Sequence, residues 1–292
     1  MKRRGVGYAF VAPAVVHLLV FGLVPIGFAL YLSFFKWDLL RDQSPFVGLG
    51  NYAAVAQDSG FWKALVNSLY YTALSVPLGL AVALGIALLV AKPLKGLAVF
   101  RTVFYLPSVM SQVATAMIWI YILLPKSGFV NTVLGWFHAP NETDFLSQVG
   151  WAMLALVFMS VWTGLGPRMV LFLAGIMGIP DSLYEAASLD GASKGRQLWA
   201  VTLPMLAPTS LFVTVTSTIA AMQVFTPVYM MTKGGPLDTT DMVGYHIYTT
   251  AWRDFHVGEA SAQSFVLLAV VMAVAWVQFS SQKKQLEAYS AA

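Results

Sequence analysis

Few side chains in this sequence are placed to make or break bonds. Its four histidines are dispersed, cysteine is absent, and neither an H-E-x-x-H run nor a nucleophile elbow occurs. No G-x-x-x-x-G-K-[ST] loop is present to cradle a nucleotide. What remains is recognition chemistry set into long apolar stretches. Thr214, Thr216, Ser217, Thr218, Gln223, Thr226 and Tyr229 punctuate one of them, and the Gln223 amide can both donate to and accept from a hydroxylated solute. Each Ser and Thr can equally hydrogen-bond a neighbouring helix. Trp119, Tyr121 and Trp162 offer faces for stacking on a solute, with core or interfacial packing as the alternative. Arg168 and His17 bring ionisable groups into apolar runs. An arginine there either lines a polar cavity or snorkels to the interface on its long stem. His17 is expected as a hydrogen-bonded structural histidine.

The elements that carry these groups follow from composition. Of 292 residues, 58% are hydrophobic and 10% charged, against about 25% charged in a soluble domain. The mean hydropathy is +0.72. A window of about 19 residues places spans at 8–33, 67–91, 101–124, 150–177, 205–231 and 261–280. The expectation is an all-α integral membrane protein of six transmembrane helices, forming a single domain over 1–292. The first run follows Lys2, Arg3 and Arg4 in signal-peptide order but is too long for one, so it is expected as a retained span. Pro107 is expected to break the third span, and Gly164, Gly166 and Pro167 the fourth.

Cations fix the expected orientation. Lys2, Arg3, Arg4, Lys92, Lys95, Lys194, Arg196, Lys283 and Lys284 all fall on one side, which makes both termini cytoplasmic. The longer outside loops carry Lys36, Arg41, Lys63, Lys126, Lys233 and Arg253. The net charge of +4 is explained by membrane borders. Without a basic helix or an interleaved aromatic stripe, nucleic acid is not an expected partner. None of the spans contains Asp or Glu, which leaves no obvious group for proton or sodium coupling. Any solute movement must therefore be energised by another protein.

The loop between the fourth and fifth spans, 178–204, has its own local logic. Ser182 and Glu185 match a capping box, so a short helix is expected to start at Asp181 or Ser182. Leu183, Ala186, Ala187 and Leu189 give it a small apolar face, and Asp190–Gly191 should end it. Such a helix can enter a groove on another protein or lie on the membrane surface.

EAASLDGA at Glu185–Ala192, followed by TLPMLAP at Thr202–Pro208, resembles the EAA loop of permease subunits of binding-protein-dependent ABC importers. Glu185, Ala186, Ala187, Asp190, Gly191, Ala192, Leu203 and Pro204 stand at that family's spacing. The likeness runs through SFFKWD at Ser33–Asp38, FVGLGNY at Phe46–Tyr52, the segment from Pro125 to Asn131, MTKGGPLDTT at Met231–Thr240 and IYTTAW at Ile247–Trp252. It points to the carbohydrate-type permeases, similar to the first of their paired subunits. Trp252, where the family often has Phe, and Gly166–Pro167–Arg168 depart from its pattern.

The resemblance implies an ABC importer permease bundle with a cytoplasmic coupling helix, in a bacterial or archaeal cytoplasmic (inner) membrane. It implies a second permease subunit, a cytoplasmic ATPase dimer and an extracytoplasmic solute-binding protein as partners. ATP would be hydrolysed by the partner, with no cofactor in this chain. A sugar or oligosaccharide is the expected solute, contacted along a pathway through Gln223, Thr226, Ser217, Tyr229, Arg168, Trp162 and Tyr121. Glycerol 3-phosphate or another anionic polyol is the alternative within the same machinery. An ion-coupled secondary transporter is the alternative outside it.

Overall fold

The computed structural model describes residues 3–38, 40, 44–91 and 96–290. The expected border cations Lys2, Arg41, Lys92 and Lys95 lie outside the described residues. Among these residues the chain is helical, apart from isolated bridges pairing Phe35 with Phe46 and Asp38 with His256. In order the helices are α1 (Arg3–Leu18), α2 (Val24–Ser33), α3 (Gly50–Gln57), α4 (Ser59–Val90), α5 (Leu97–Val109), α6 (Gln112–Ile122) and α7 (Phe129–Trp136). They continue as α8 (Trp151–Met177), α9 (Asp181–Leu189), α10 (Lys194–Gln197), α11 (Leu203–Met205), α12 (Ala207–Met222), α13 (Val243–Trp252) and α14 (Val257–Ser290).

Four stretches are long and apolar enough to cross a bilayer: Phe10–Ser33, Ser59–Val90, Trp151–Met177 and Val257–Ser281. Two bent pairs, Val99–Val109 with Gln112–Ile122 and Lys194–Met205 with Ala207–Met222, raise the number to six if each is one span.

Two expectations about breaks change. The third span turns by 100° between α5 and α6, at Met110–Ser111, while Pro107 stays inside α5. The fourth span does not break at all: α8 continues through Gly164, Gly166 and Pro167. The reason is packing. A Cβ at Gly166 would stand 2.6 Å from the Tyr105 Cα and 2.9 Å from the Phe104 carbonyl oxygen. The missing side chain brings two backbones together and serves no kink. The stretch 205–231 is also not one helix, since α12 stops at Met222 and a π turn occupies Val228–Thr232.

Contacts divide the chain into two compact bodies. The first comprises Met1–Trp62 and His246–Val270. Pro25 stands in the first turn of α2 and lacks the N–H that would close on the turn before it, and Leu19–Leu23 widens into a π turn there. Asn51 satisfies the carbonyls orphaned at the end of α2: its Nδ2 donates to Ser33 O at 2.8 Å and to Phe35 O at 2.9 Å. This explains why GNY accompanies SFFKWD. Asp58 caps α4, its Oδ1 accepting from the Gly60 N–H at 2.8 Å while Oδ2 lies 3.3 Å from His246 Nε2. His17 is exposed, its ring 5.1 Å from that of Phe21. It is not the internally bonded histidine expected, because α1 stands with little of its surface covered.

The second body comprises Lys63–Tyr245 and Val271–Ala292. Its core joins Ala83, Ala87 and Val90 of α4, Leu165, Met169, Phe172 and Leu173 of α8, and Val213 of α12. Alanines on α4 let the larger side chains of α8 seat against it. Asn131 is fully buried, donating to Leu124 O and Thr143 O at 2.9 Å each and accepting from the Thr143 N–H at 3.1 Å. Thr240 folds the MTKGGPLDTT segment back on itself through Thr232 Oγ1 at 2.8 Å and Gly235 O at 2.5 Å. Asn67 Nδ2 then ties that segment to α4, at 2.8 Å from Asp238 O and 2.9 Å from Asp241 O.

Gly166→Ala is expected to lower stability by about 1–3 kcal/mol through overpacking. Gly85→Ala, where a Cβ meets nothing within 4 Å, should be neutral or slightly stabilising. Denaturation of the two variants in the same detergent compares them.

Candidate functional site

Two interrupted helices and two straight ones enclose a cavity of about 440 Å³ in the second body. The α5–α6 turn supplies Ser108, Met110, Gln112 and Thr115, and the segment after α12 supplies Gln223, Phe225 and Thr226. α8 contributes Ser160, Thr163, Gly164 and Arg168, and α4 contributes Tyr71. The interruptions have identifiable origins. Ser111, with ψ 133°, starts α6 afresh, and its carbonyl accepts from the Thr115 N–H at 2.9 Å and the Thr115 hydroxyl at 3.1 Å. Gln223 ends α12, outside the helical well at φ −104° and ψ 16°. Non-helical backbone at membrane depth is tolerable where it lines such a space.

The straight helices face each other in register. Tyr71, Ser75 and Gly79 recur at four-residue spacing on α4, as do Ser160, Gly164 and Arg168 on α8, so each set forms one face. Tyr71 lies beside Ser160, and Gly79 lies against the Arg168 guanidinium. Arg168 Nε donates to Ser217 Oγ of α12 at 3.1 Å.

The expected pathway residues therefore divide. Gln223, Thr226 and Arg168 line the cavity, and Ser217 holds Arg168 from behind. Tyr229 is not among the lining residues; its ring lies 5.4 Å from Phe225 and 6.4 Å from Tyr245. Trp162 meets Trp119 edge-on at 6.1 Å, and Tyr121 is 65% exposed; neither lines the cavity. Thr218 accepts from Gln278 Nε2 at 2.9 Å and so serves helix packing. Tyr71, Gln112, Thr115, Ser160 and Thr163 are lining residues that sequence reasoning did not single out. The i, i+4, i+8 polar and glycine stripes on α4 and α8 were the available signal. Among the described residues no group of three or more His, Cys, Asp or Glu side chains could hold a metal.

The loop after α8 builds a second, exposed feature. The helix α9 begins at Asp181 with Pro180 as its N-cap and no side-chain cap bond. The Ser182–Glu185 capping box is thus not formed, because extended Pro180 places Ser182 already within the helix. Gly191 ends α9 at φ +76° as expected. Ser193 restarts the chain by accepting from the Arg196 N–H at 3.4 Å. The return is pinned by buried Gln197, whose Nε2 donates to Ser188 Oγ at 2.8 Å and Ala192 O at 3.3 Å. Tyr184 OH lies 3.0 Å from Thr202 Oγ1. Glu185, Ala186, Asp190, Gly191 and Pro204 are exposed, and Ala187, Ala192 and Leu203 are partly so. Leu189 and Trp199 stand 91% and 74% exposed on this segment.

Residues 46–284 match the family described as binding-protein-dependent transport system inner membrane component. The chain is 36% identical over 279 residues to the probable ABC transporter permease protein YesP of Bacillus subtilis, covering 94% of this chain and 89% of that one. It is 32% identical over 280 residues to the sn-glycerol-3-phosphate transport system permease protein UgpA of Agrobacterium fabrum, covering 96% and 95%. The fold matches a bacterial ABC transporter involved in import of the acidic polysaccharide alginate, with a TM-score of 0.84 at 24% identity over 97% of this chain and 96% of that chain.

Because Gln197 alone ties Ser188 to the return segment, Gln197→Ala is expected to loosen it. Amide hydrogen exchange across residues 186–196 should quicken about tenfold, for a lost bond of roughly 1 kcal/mol or slightly more. The core of α8 should exchange as before.

Proposed function

This chain belongs to the family of binding-protein-dependent transport inner membrane components, and we propose that it forms one half of a solute pathway completed by a second permease subunit. It is a multi-pass inner-membrane permease of the ABC importer class and not an enzyme; it binds no cofactor, and a partner subunit is the ATPase. The cytoplasmic ATPase dimer and an extracytoplasmic solute-binding protein complete the assembly in this reading. One domain over residues 1–292 would carry the six spans, with both termini cytoplasmic. The cation bias in 1–7, 92–100, 178–204 and 281–292 supports that orientation.

The single observation that carries the reading is the exposed helix α9 with its pinned return. A helix with no buried residue of its own, displaying Leu189, with Trp199 also exposed on the return segment, is shaped to seat in a groove on another protein. Glu185, Ala186, Ala187, Asp190, Gly191 and Ala192 would make the contact with the ATPase, and Leu203 and Pro204 would lead the motion into α12. The bent pair Lys194–Met205 and Ala207–Met222 is the lever. An ion-coupled transporter is disfavoured, because the cavity is lined without a carboxylate to bind the ion.

The solute in this reading is a sugar or oligosaccharide, with Gln223 and Thr226 as hydrogen-bonding contacts. Glycerol 3-phosphate or another anionic polyol is the second reading, which Arg168 in the cavity wall favours. The sn-glycerol-3-phosphate permeases among the relatives support it.

Gly191→Pro is expected to abolish uptake while the protein still reaches the membrane. Proline holds φ near −65°, whereas Gly191 needs +76° and donates its N–H to Ser188 O at 3.0 Å. Uptake and ATP hydrolysis in proteoliposomes of the complete transporter check this; normal uptake would remove the coupling role. Gln223→Ala should reduce uptake about tenfold with ATP hydrolysis retained, the loss of about one or two hydrogen bonds to solute.

A further inference from the structure

Arg168 sits in a slot that only glycine leaves open. A Cβ at Gly164 would stand 2.8 Å from its Cζ and 2.9 Å from Nη1, and a Cβ at Gly79 would collide with Nη1. The guanidinium is thus laid against α4 and α8 where their backbones are bare. Ser217 fixes its rotation by accepting from Nε at 3.1 Å, and Nη1 is buried with no hydrogen-bond partner. Snorkelling does not describe this side chain, since its guanidinium is held between α4, α8 and α12.

The surrounding charges decide what the slot is for. No residue of the cavity lining is Asp or Glu, and Arg168 is its one formally charged side chain. A buried arginine ordinarily has a carboxylate or other acceptors to meet its five donors. Here one acceptor is supplied by Ser217, while the wall adds neutral hydroxyls and amides from Ser160, Thr163, Gln112 and Gln223. The site is one half of an ion pair, bordered by groups suited to hydroxyls.

We propose that Arg168, oriented by Ser217 and admitted by Gly79 and Gly164, is the receptor for an oxyanion carried by the transported solute, with the neutral wall taking the solute's hydroxyls. This rests on the permease reading and makes it narrower: the pathway selects acidic sugars or polyol phosphates over their neutral counterparts.

The test uses the complete transporter in lipid nanodiscs at constant ionic strength, with galacturonate and sn-glycerol 3-phosphate as charged probes and galactose and glycerol as neutral counterparts. At about 10 mM probe, well above a millimolar dissociation constant, a charged probe is expected to raise the melting temperature by about 2 °C or more. The neutral probes should leave it unchanged. The larger of the two charged responses assigns carboxylate or phosphate. Arg168→Gln should erase the response, Arg168→Lys should retain a fraction of it, and Ser217→Ala should weaken apparent affinity severalfold. Equal responses to charged and neutral probes, a response undiminished in Arg168→Gln, or no response to either anion would each overturn the proposal. If Arg168→Gln does not fold, the charged-against-neutral comparison in the unaltered protein decides. Failure of these arms with ATP-driven uptake intact removes the oxyanion receptor alone. Loss of ATP-driven uptake in the unaltered transporter strikes the permease reading instead.

Discussion

Backbone N–H and carbonyl groups left bare inside a bilayer cost several kilocalories per mole each, and this chain interrupts its apolar helices repeatedly. The interruptions at Met110–Ser111 and after Met222 both fall on the cavity wall. There a water-accessible space can meet the freed groups, and the same breaks present Gln112 and Gln223 to it. The helix α8 also lines the cavity yet is kept whole. Continuous α8 carries Gly166 and Pro167 without a break because α5 packs against that glycine. Satisfaction of the backbone thus decides where polar recognition groups can stand.

The same constraint explains the buried amides and hydroxyls away from the cavity. Asn51 and Asn131 each spend both N–H donors on carbonyl oxygens at chain turns. Thr240 and Asn67 do similar work in the segment after the π turn. Asn51, Asn131 and Thr240 belong to short runs that mark the family resemblance, and their structural role is to let loops fold without bare backbone. A family signature in a loop is therefore of two kinds. The EAA loop leaves its signature residues largely exposed, whereas Asn51 of GNY and Asn131 at the end of its segment are buried.

The exposed loop and the cavity are joined by one bent path of chain. From Ser193 the polypeptide runs through α10, a π turn and α11, turns by 66° and enters α12, which holds Ser217 and ends at Gln223. Tyr184 and Gln197 clamp the start of that path to α9. In the proposed coupling role, a push on α9 would be directed along α12 toward the side chains at its far end. Rigid elements with few hinges transmit such displacement with little loss.

The sequence by itself determined the membrane class, the apolar stretches and the short helix ended by Gly191, because hydropathy and a left-handed glycine are local properties. It also singled out Gln223, Thr226 and Arg168, whose types are conspicuous in apolar surroundings. Tertiary structure decided which polar groups share a space. Ser160 and Tyr71 look like isolated helix residues until α4 and α8 come into register, while Trp162 packs against Trp119 and Tyr121 stands exposed away from the cavity lining. It also decided that Gly79 and Gly164 are a slot for a guanidinium and that Gly166 is a helix contact. A glycine states only that a side chain is missing, and what fills the vacancy depends on a partner distant in sequence.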